Sequence, residues 1–244
     1  MARPPRGIFV TGTDTGVGKT VVAAATVAAL RARGERLRVC KPLITGLDDP
    51  PDPVWPPDHE LLARAAGHDP DEVKLLGYGP AVSPHLAAEL SGVPVRPAEL
   101  VRAIQDAGAE REVLVVEGVG GLLVPIAPGY DVADLAGALG LPLVVVARPG
   151  LGTINHTLLT LEAARSRELD VAGVVLNPWP EQPGEIERSN RETIERLGDV
   201  SVSLLPLLEA PTLTALAGAG ATLPLEQWLT WTPRVSATVR ACDV

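Results

Sequence analysis

The chain has 244 residues, of which 46% are hydrophobic and 3% aromatic, and it carries a formal net charge of −9. This length and composition predict one globular domain over residues 1–244, with an aliphatic core. The acidic balance argues against nucleic acid as a partner, and the sequence has no run of 18 apolar residues that could span a membrane.

The N-terminal segment, MARPPRG, runs straight into a predicted strand and does not have the organisation of a signal peptide. Two cysteines do not make a disulfide framework, which fits a reducing cytosol. A cytoplasmic location is therefore expected.

The first predicted strand, Gly7–Val10, leads into the glycine-rich stretch TGTDTGVGKT at 11–20, and an alanine-rich helix is predicted over Thr20–Arg33. Strand, glycine-rich loop and a Gly-Lys-Thr helix start form the architecture of a phosphate-binding P-loop. Gly12 lies one place before the first position of the usual GxxxxGK[ST] pattern. The residues expected to hold the phosphates are Thr15, Gly16, Val17, Gly18, Lys19 and Thr20.

Lysine is rare in this chain, which has three lysines among its 21 basic residues. One of them is Lys19 in the loop, and another, Lys41, ends the predicted strand Leu37–Cys40 together with Pro42. The carboxyl ends of parallel strands face the ligand in an α/β sheet, so Lys41 is expected to face the same crevice as the loop.

Two acidic residues are candidates for holding a metal ion near the phosphates. Asp58 follows a Pro- and Asp-rich surface loop at 48–57, where it is either the N-cap of a helix or a metal ligand. Glu117 closes the predicted strand Val113–Val116 and precedes Gly118-Val119-Gly120-Gly121. An acidic residue closing a strand beside a P-loop is typical of a Walker-B group, and the glycines are expected to permit close ligand approach.

The rest of the chain alternates apolar strands with helices, which predicts an α/β fold with a doubly wound, mainly parallel β-sheet flanked by helices. After Pro211 one or two short helices are expected, with Trp228 and Trp231 packing or shielding an edge, and residues 233–244 are expected to fray. The remaining predicted elements are an amphipathic helix over Pro94–Gly108, a short helix beginning at Asp131, a strand over Pro142–Ala147, a loop over 148–156, a helix over Thr157–Arg167, a strand over Val171–Leu176 ending at Asn177, a helix over about 184–197 and a strand over Val202–Leu205 closed by Pro206.

Four motifs in this order, TGTDTGVGKT, KPLITG at 41–46, VEGVGG at 116–121 and GTINH at 152–156, resemble the dethiobiotin synthetases, and the resemblance runs from residue 7 to about residue 210. It implies a P-loop NTPase-like three-layer sandwich and a homodimer with its active site at the interface. It also implies a Mg²⁺-dependent enzyme that joins CO₂ or bicarbonate to 7,8-diaminopelargonic acid and closes a cyclic urea. In that reaction a carbamate attacks the γ-phosphate of ATP, and a carbamic–phosphoric anhydride is then closed by the second amine, releasing ADP and phosphate.

The resemblance also implies roles for individual residues. The catalytic residues would be Lys41, Lys19 and Thr15, and the Mg²⁺ ligands would be Thr20, Asp58 and Glu117. Besides the phosphate loop, Asp58 and Glu117, the nucleotide would contact Gly118, Val119, Gly120, Asn177, Pro178, Pro206, Leu207 and Leu208. The substrate would contact Lys41, Thr45, Gly118, Gly150, Leu151, Gly152 and Asn155.

Two departures and two alternatives remain open. Gly16 stands where some members of the family have Glu, and the match fades after Pro206, which leaves the choice between ATP and CTP open. A relative that forms amides of cobyrinic acid would need a glutaminase domain with a nucleophilic cysteine, and no such segment is seen within these residues. A MinD/ParA-type ATPase switch would have a second lysine early in the loop, where this chain has Thr13 and Asp14.

Overall fold

A seven-stranded parallel sheet forms the centre of the computed structural model, which describes residues 6–50, 52–108 and 113–230. In chain order the strands of the described residues are β1 (Gly7–Gly12), β2 (Leu37–Ile44), β3 (Lys74–Gly77), β4 (Val113–Gly121), β5 (Pro125–Ala127), β6 (Tyr130–Asp131), β7 (Leu143–Ala147), β8 (Val171–Trp179) and β9 (Val202–Pro206). The sheet has the order β3-β2-β4-β1-β7-β8-β9, and β5 and β6 form a separate antiparallel pair.

Helices cover both faces of the sheet. In chain order they are α1 (Lys19–Ala32), α2 (Asp58–Ala66), α3 (Pro70–Val73), α4 (Pro84–Ser91), α5 (Pro97–Ala107), α6 (Val132–Leu139), α7 (Thr153–Ser166), α8 (Glu185–Gly198), α9 (Leu213–Gly220) and α10 (Leu225–Leu229). One apolar core joins the sheet to α1, α2, α9 and α10, and a second joins its other face to α4 through α8. This arrangement confirms the predicted doubly wound three-layer sandwich.

Helix α1, which follows the phosphate loop, is buried along almost its whole length. The sheet lies on one side of it, and α2 and α9 cover the others, so its buried positions are filled largely by small alanine and valine side chains. A Cβ atom on Gly220 would lie 1.9 Å from the carbonyl oxygen of Ala25, so glycine is required where α9 approaches α1 most closely. Tight packing on all sides fixes the start of α1, and with it the loop.

Two strands are longer than predicted. β2 does not end at Lys41-Pro42 but continues to Ile44, and β4 includes Glu117 and continues to Gly121. Proline has no N–H group to donate to a neighbouring strand. Pro42 is tolerated in β2 because the pairing of β2 with β4 ends at Cys40–Val116, and beyond that pair only β3 runs beside β2. Lys41 and Glu117 directly follow that last pair, which places them side by side.

Helix α7 begins at Thr153, so the predicted loop over 148–156 is shorter than expected and the helix does not start at Thr157. Asn155 therefore lies in the first turn of a helix. The strand β3 and the β5–β6 pair were not predicted, because their segments are short and β3 is only half-buried, which leaves no run of apolar residues to reveal it.

The C-terminal part of the described chain confirms the expected short helices, α9 and α10. Trp228 is 2% exposed and packs in the core, as predicted. Trp231 and residues 233–244 lie outside the described residues. No helix in the described ranges is both long and apolar enough to cross a membrane.

Candidate active site

The loop between β1 and α1 has the geometry of an anion-binding site. Gly18 has φ of 85° and caps α1 without a side-chain hydrogen bond, so the first N–H groups of the helix remain free to bind a ligand. A Cβ atom on Gly18 would lie 2.0 Å from Asn177 Nδ2, which makes glycine obligatory here. Lys19 Nζ donates to the carbonyl oxygen of Asp14 at 2.9 Å, so the lysine folds back over the loop.

Lys41 is the centre of a buried polar cluster. Only 3% of the residue is exposed, and its Nζ contacts three acceptors: Glu117 Oε1 at 2.5 Å, Asp58 Oδ2 at 2.9 Å and the carbonyl oxygen of Gly118 at 3.1 Å. An ammonium group has three N–H donors, so every donor of Lys41 has a partner.

Glu117 is fully buried in this cluster. Its Oε1 accepts from Lys41 and also from Thr20 Oγ1, the latter at 2.9 Å. Its Oε2 has no hydrogen-bond partner within the described part of the chain. A buried carboxylate oxygen without a partner is costly, so this atom marks a position suited to a cation.

The charges of the cluster set the protonation of both lysines. Burial, followed by repulsion from Lys41, lowers the pKa of Lys19 to about 8. Burial alone would lower the pKa of Lys41 as well, but the carboxylates of Glu117 and Asp58 outweigh it and raise that pKa above its usual range. Lys41 therefore stays protonated at neutral pH, and an anion bound beside Lys19 would raise the lowered pKa of that lysine.

The two lysines and the two carboxylates line one cavity of about 680 Å³, which is large enough for a nucleotide or a small substrate. Half of the predicted site residues line it: Thr15, Gly16, Gly18, Lys19, Thr20, Lys41, Thr45, Asp58, Glu117, Val119 and Gly120. The other half do not: Val17, Gly118, Gly150, Leu151, Gly152, Asn155, Asn177, Pro178, Pro206, Leu207 and Leu208.

The position of Asp58 tests the interpretation of this residue as a helix N-cap. Asp58 is the first residue of α2, and Pro57 is the N-cap, so the capping interpretation is wrong. Its carboxylate reaches Lys41 in the site while remaining 45% exposed.

Two glycines after Glu117 are required by close packing inside the protein, which sequence analysis did not predict. A Cβ atom on Gly118 would lie 2.9 Å from the ring of Phe9, and one on Gly120 would lie 2.8 Å from Val124. Close packing within the protein therefore requires Gly118, which does not line the cavity, and Gly120 combines that constraint with a φ of 61°.

Asn177 lies behind the phosphate loop, where its Nδ2 donates to the carbonyl oxygen of Val17 at 3.2 Å. Pro206 ends the neighbouring strand, and the exposed Leu207 follows it. The two predicted base-binding segments thus lie next to each other on β8 and β9, beside the loop and outside the cavity.

Several site residues were not predicted. Trp55, Asp49 and the segment 81–84 line the cavity, and all of them except Pro84, the first residue of α4, come from connecting segments without a strong pattern. Arg148 Nη2 donates to the carbonyl oxygen of Thr15 at 3.1 Å. The signal for Arg148 was its position directly after a predicted strand, which places it at the same edge of the sheet as Lys41.

Comparisons with known proteins bear on this site. A family model described as an AAA domain matches residues 6–213. The ATP-dependent dethiobiotin synthetase BioD of Anaeromyxobacter dehalogenans is 45% identical over 208 residues, covering 82% of this chain and 90% of the relative. The BioD of Haloferax mediterranei is 40% identical over 221 residues, covering 90% and 92%. This chain belongs to the ATP-dependent dethiobiotin synthetase family.

Solved structures place the dethiobiotin synthetase chain within a wider fold. Cobyrinic acid a,c-diamide synthase from Mycobacterium smegmatis aligns with a TM-score of 0.51 at 17% identity, covering 89% of this chain and 93% of that one. A ParA family ATPase from Chlorobium tepidum aligns at 0.52 with 14% identity, covering 93% and 96%. At these identities the likeness shows the fold alone, and the sequence relatives carry the family.

Proposed function

We propose that this protein is an ATP-dependent dethiobiotin synthetase, which carboxylates 7,8-diaminopelargonic acid with CO₂ and closes the product into a cyclic urea. The observation that supports the proposal most directly is that Lys41 lines the same cavity as the phosphate loop. That placement puts a fixed positive charge beside the position where the terminal phosphate of ATP would lie.

The phosphate loop and Lys19 would bind the triphosphate. The free N–H groups at the start of α1 and the ammonium of Lys19 suit the charge of the β- and γ-phosphates. The base would lie toward Asn177 and the strip Pro206–Leu208, since these flank the loop outside the cavity. An amide offers both a donor and an acceptor to a base edge.

The residues present fit a magnesium ion. Thr20 Oγ1, Asp58 and Glu117 are oxygen donors gathered around one point, and Glu117 Oε2 is buried without a partner. The described residues contain no group of three or more His, Cys, Asp or Glu side chains that could hold a metal. The two carboxylates and the threonine hydroxyl suit Mg²⁺, which takes one or two carboxylates together with phosphate oxygens and water. When bound, Mg²⁺ would neutralise charge on the phosphates.

Lys41 would stabilise the groups that react. One amine of the substrate combines with CO₂ and loses a proton, giving a carbamate. A carbamate oxygen then attacks the γ-phosphorus, and ADP leaves. The second amine attacks the carbonyl carbon of the mixed anhydride, and phosphate leaves as the ring closes. Lys41, which lines the cavity together with Thr45, would neutralise the carbamate and the transferred phosphoryl group.

A homodimer would complete the site. The predicted substrate-binding loop, Gly150–Asn155, does not line the cavity that contains Lys41, and Leu151 is 95% exposed. A loop that binds the substrate tail from outside its own cavity fits a site shared with a second copy of the chain.

The test is incubation with 7,8-diaminopelargonic acid, bicarbonate, Mg²⁺ and each nucleoside triphosphate in turn, measuring phosphate release and the cyclic urea by mass spectrometry. Lys41→Ala should lower turnover by about 100-fold or more, because a preorganised charge in the site is lost. Lys74→Ala is the matched control, since Lys74 pairs with Lys41 across β2 and β3 but forms an ion pair with Asp71 instead. Absence of cyclic urea with every triphosphate would refute the function.

A further inference from the structure

Trp55 is the one aromatic side chain among the described residues that line the cavity. It follows Val54, which is 50% exposed, and it precedes Pro56, which also lines the cavity. Trp55 itself is half-buried and packs against the apolar core that joins the sheet to α1 and α2. The indole thus forms a wall of the cavity at a point where the chain is otherwise exposed to solvent.

Local hydrogen bonds fix the position of Trp55. Asp52 Oδ1 accepts the backbone N–H groups of both Trp55 and Val54, each at 2.8 Å. These bonds, first that from Trp55 and then that from Val54, hold the pKa of the Asp52 carboxyl below its usual range, so the carboxylate is ionised at neutral pH. Two prolines follow at 56 and 57 and restrict the backbone on the other side. The indole is therefore held in place before any ligand binds.

The wall formed by Trp55 lies close to the groups that would hold the reacting atoms. Trp55 precedes by three residues Asp58, whose carboxylate contacts Lys41 Nζ at 2.9 Å. Three residues of chain span at most about 11 Å. Asp58, Lys41 and the phosphate loop line the same cavity as Trp55. An apolar ring at this distance can limit the amount of water that reaches the reacting atoms.

The chemistry of the proposed function gives water a competing role. Attack of the second amine on the carbonyl carbon of the carbamic–phosphoric anhydride forms a C–N bond and breaks the C–O bond to phosphate, which takes up the proton that the amine loses. Attack of water on the same carbon breaks the same bond, returns the carbamate and passes the protons of water to phosphate. ATP is then consumed without ring closure. The yield therefore depends on the position of the amine and on the exclusion of water.

We infer that Trp55 keeps water from the anhydride and so couples the consumption of ATP to ring closure. The inference rests on the proposed function, which supplies the anhydride. Trp55 takes no part in proton transfer or in binding the phosphates. Its large apolar ring occupies space that water would otherwise fill.

The test measures the ratio of phosphate released to cyclic urea formed, at saturating 7,8-diaminopelargonic acid, bicarbonate, Mg²⁺ and ATP. The wild type should release about one phosphate for each cyclic urea, and Trp55→Ala should raise this ratio about threefold or more, because water enters the space left by the ring. Trp55→Leu keeps an apolar contact with the core and should raise the ratio by a smaller factor. Trp55→Phe keeps an aromatic ring and should restore a ratio close to that of the wild type. A reduced folded fraction lowers both products together, so it does not change the ratio.

Val54→Ala is the matched control, since Val54 belongs to the same turn and is 50% exposed, and it should leave the ratio unchanged. Each protein is also incubated without the diamine, where the anhydride cannot form and the variants should release no more phosphate than the wild type. Wild-type ratios in both Trp55→Ala and Trp55→Leu, whatever their kcat, would overturn the inference, as would extra phosphate that also appears without the diamine. A wild-type protein that forms no cyclic urea would instead refute the proposed function.

Discussion

Lys41 Nζ and Thr20 Oγ1 both contact the same oxygen of Glu117, at 2.5 Å and 2.9 Å. The ammonium thus lies among the oxygens that we expect to hold Mg²⁺, since Asp58 also contacts it. A lysine in this position competes with a metal ion for the two carboxylates. Its positive charge also offsets part of the negative charge of Asp58 and Glu117, which helps to explain how two acidic groups are tolerated in this site.

Competition between the lysine and a metal can be measured without catalysis. Lys41→Met keeps a long apolar side chain and removes the ammonium, so divalent metal should bind about tenfold or more tightly, because the carboxylates have lost their internal cation. Direct Mn²⁺ binding, followed by electron paramagnetic resonance without nucleotide, gives the affinity.

Lys19→Met is the control for this measurement. It removes a nearby positive charge that bonds a backbone carbonyl and not the carboxylates, so its effect on metal affinity should be clearly smaller. Equal affinities in the wild type and in Lys41→Met would show that the lysine and the metal do not share ligands.

Discrimination between nucleotides should depend on Asn177. Its amide bonds Val17 and contacts Gly18, so Asn177→Ala removes both support for the loop and a group that can read a base. We expect KM for ATP to rise by about tenfold and the preference for ATP over CTP to fall. Steady-state kinetics with both triphosphates measure the two effects. A role limited to loop support would raise both KM values by the same factor and leave their ratio unchanged.

Sequence analysis could identify side chains at the carboxyl ends of predicted strands, because a parallel sheet brings these ends to one edge regardless of the loop conformations. Lys41 and Glu117 were found in this way and Lys19 from the P-loop motif, and the cavity brings the three together. Arg148 and Thr15, in contrast, are 133 residues apart in the sequence, and no local sequence pattern predicts their hydrogen bond.

Local sequence patterns could not predict the residues of the cavity wall either. Trp55 lies in a Pro- and Asp-rich stretch that the sequence marks only as a surface loop. Asp52 Oδ1 accepts from the backbone N–H groups of Val54 and Trp55, both at 2.8 Å, and this turn directs the chain back toward the site. Such a turn becomes informative about function only when the position of the cavity is known.

Stability at alkaline pH should report on Cys40, which is buried beside Lys41 in β2. Burial raises the pKa of the Cys40 thiol to about 12, whereas the unfolded thiol titrates near 9.0. Above pH 9 the unfolded chain therefore loses this proton before the folded protein does, so the thiol's contribution to stability falls as pH rises from about 9 to about 12.

Comparison with Cys40→Ala isolates this contribution, because the other groups titrate in both proteins. Between pH 8 and pH 10 the wild type should lose about 1.4 kcal/mol more stability than the variant, as judged by urea unfolding. Parallel pH profiles would mean that the folded thiol ionises as readily as the unfolded one.

An active site shared between two copies, as proposed above, predicts complementation between two defective chains. Lys41→Ala removes the ammonium, and Leu151→Pro removes one backbone N–H donor of the loop. Leu151 is 95% exposed within its own chain, so the change costs little packing there. If the loop of one copy serves the cavity of the other, each mixed dimer contains one site with both defects and one intact site. An equal mixture that exchanges subunits freely should then show about a quarter of wild-type activity at low diamine concentration. If each loop serves its own cavity, no intact site forms, and the mixture will show no more than the mean activity of the two variants measured separately.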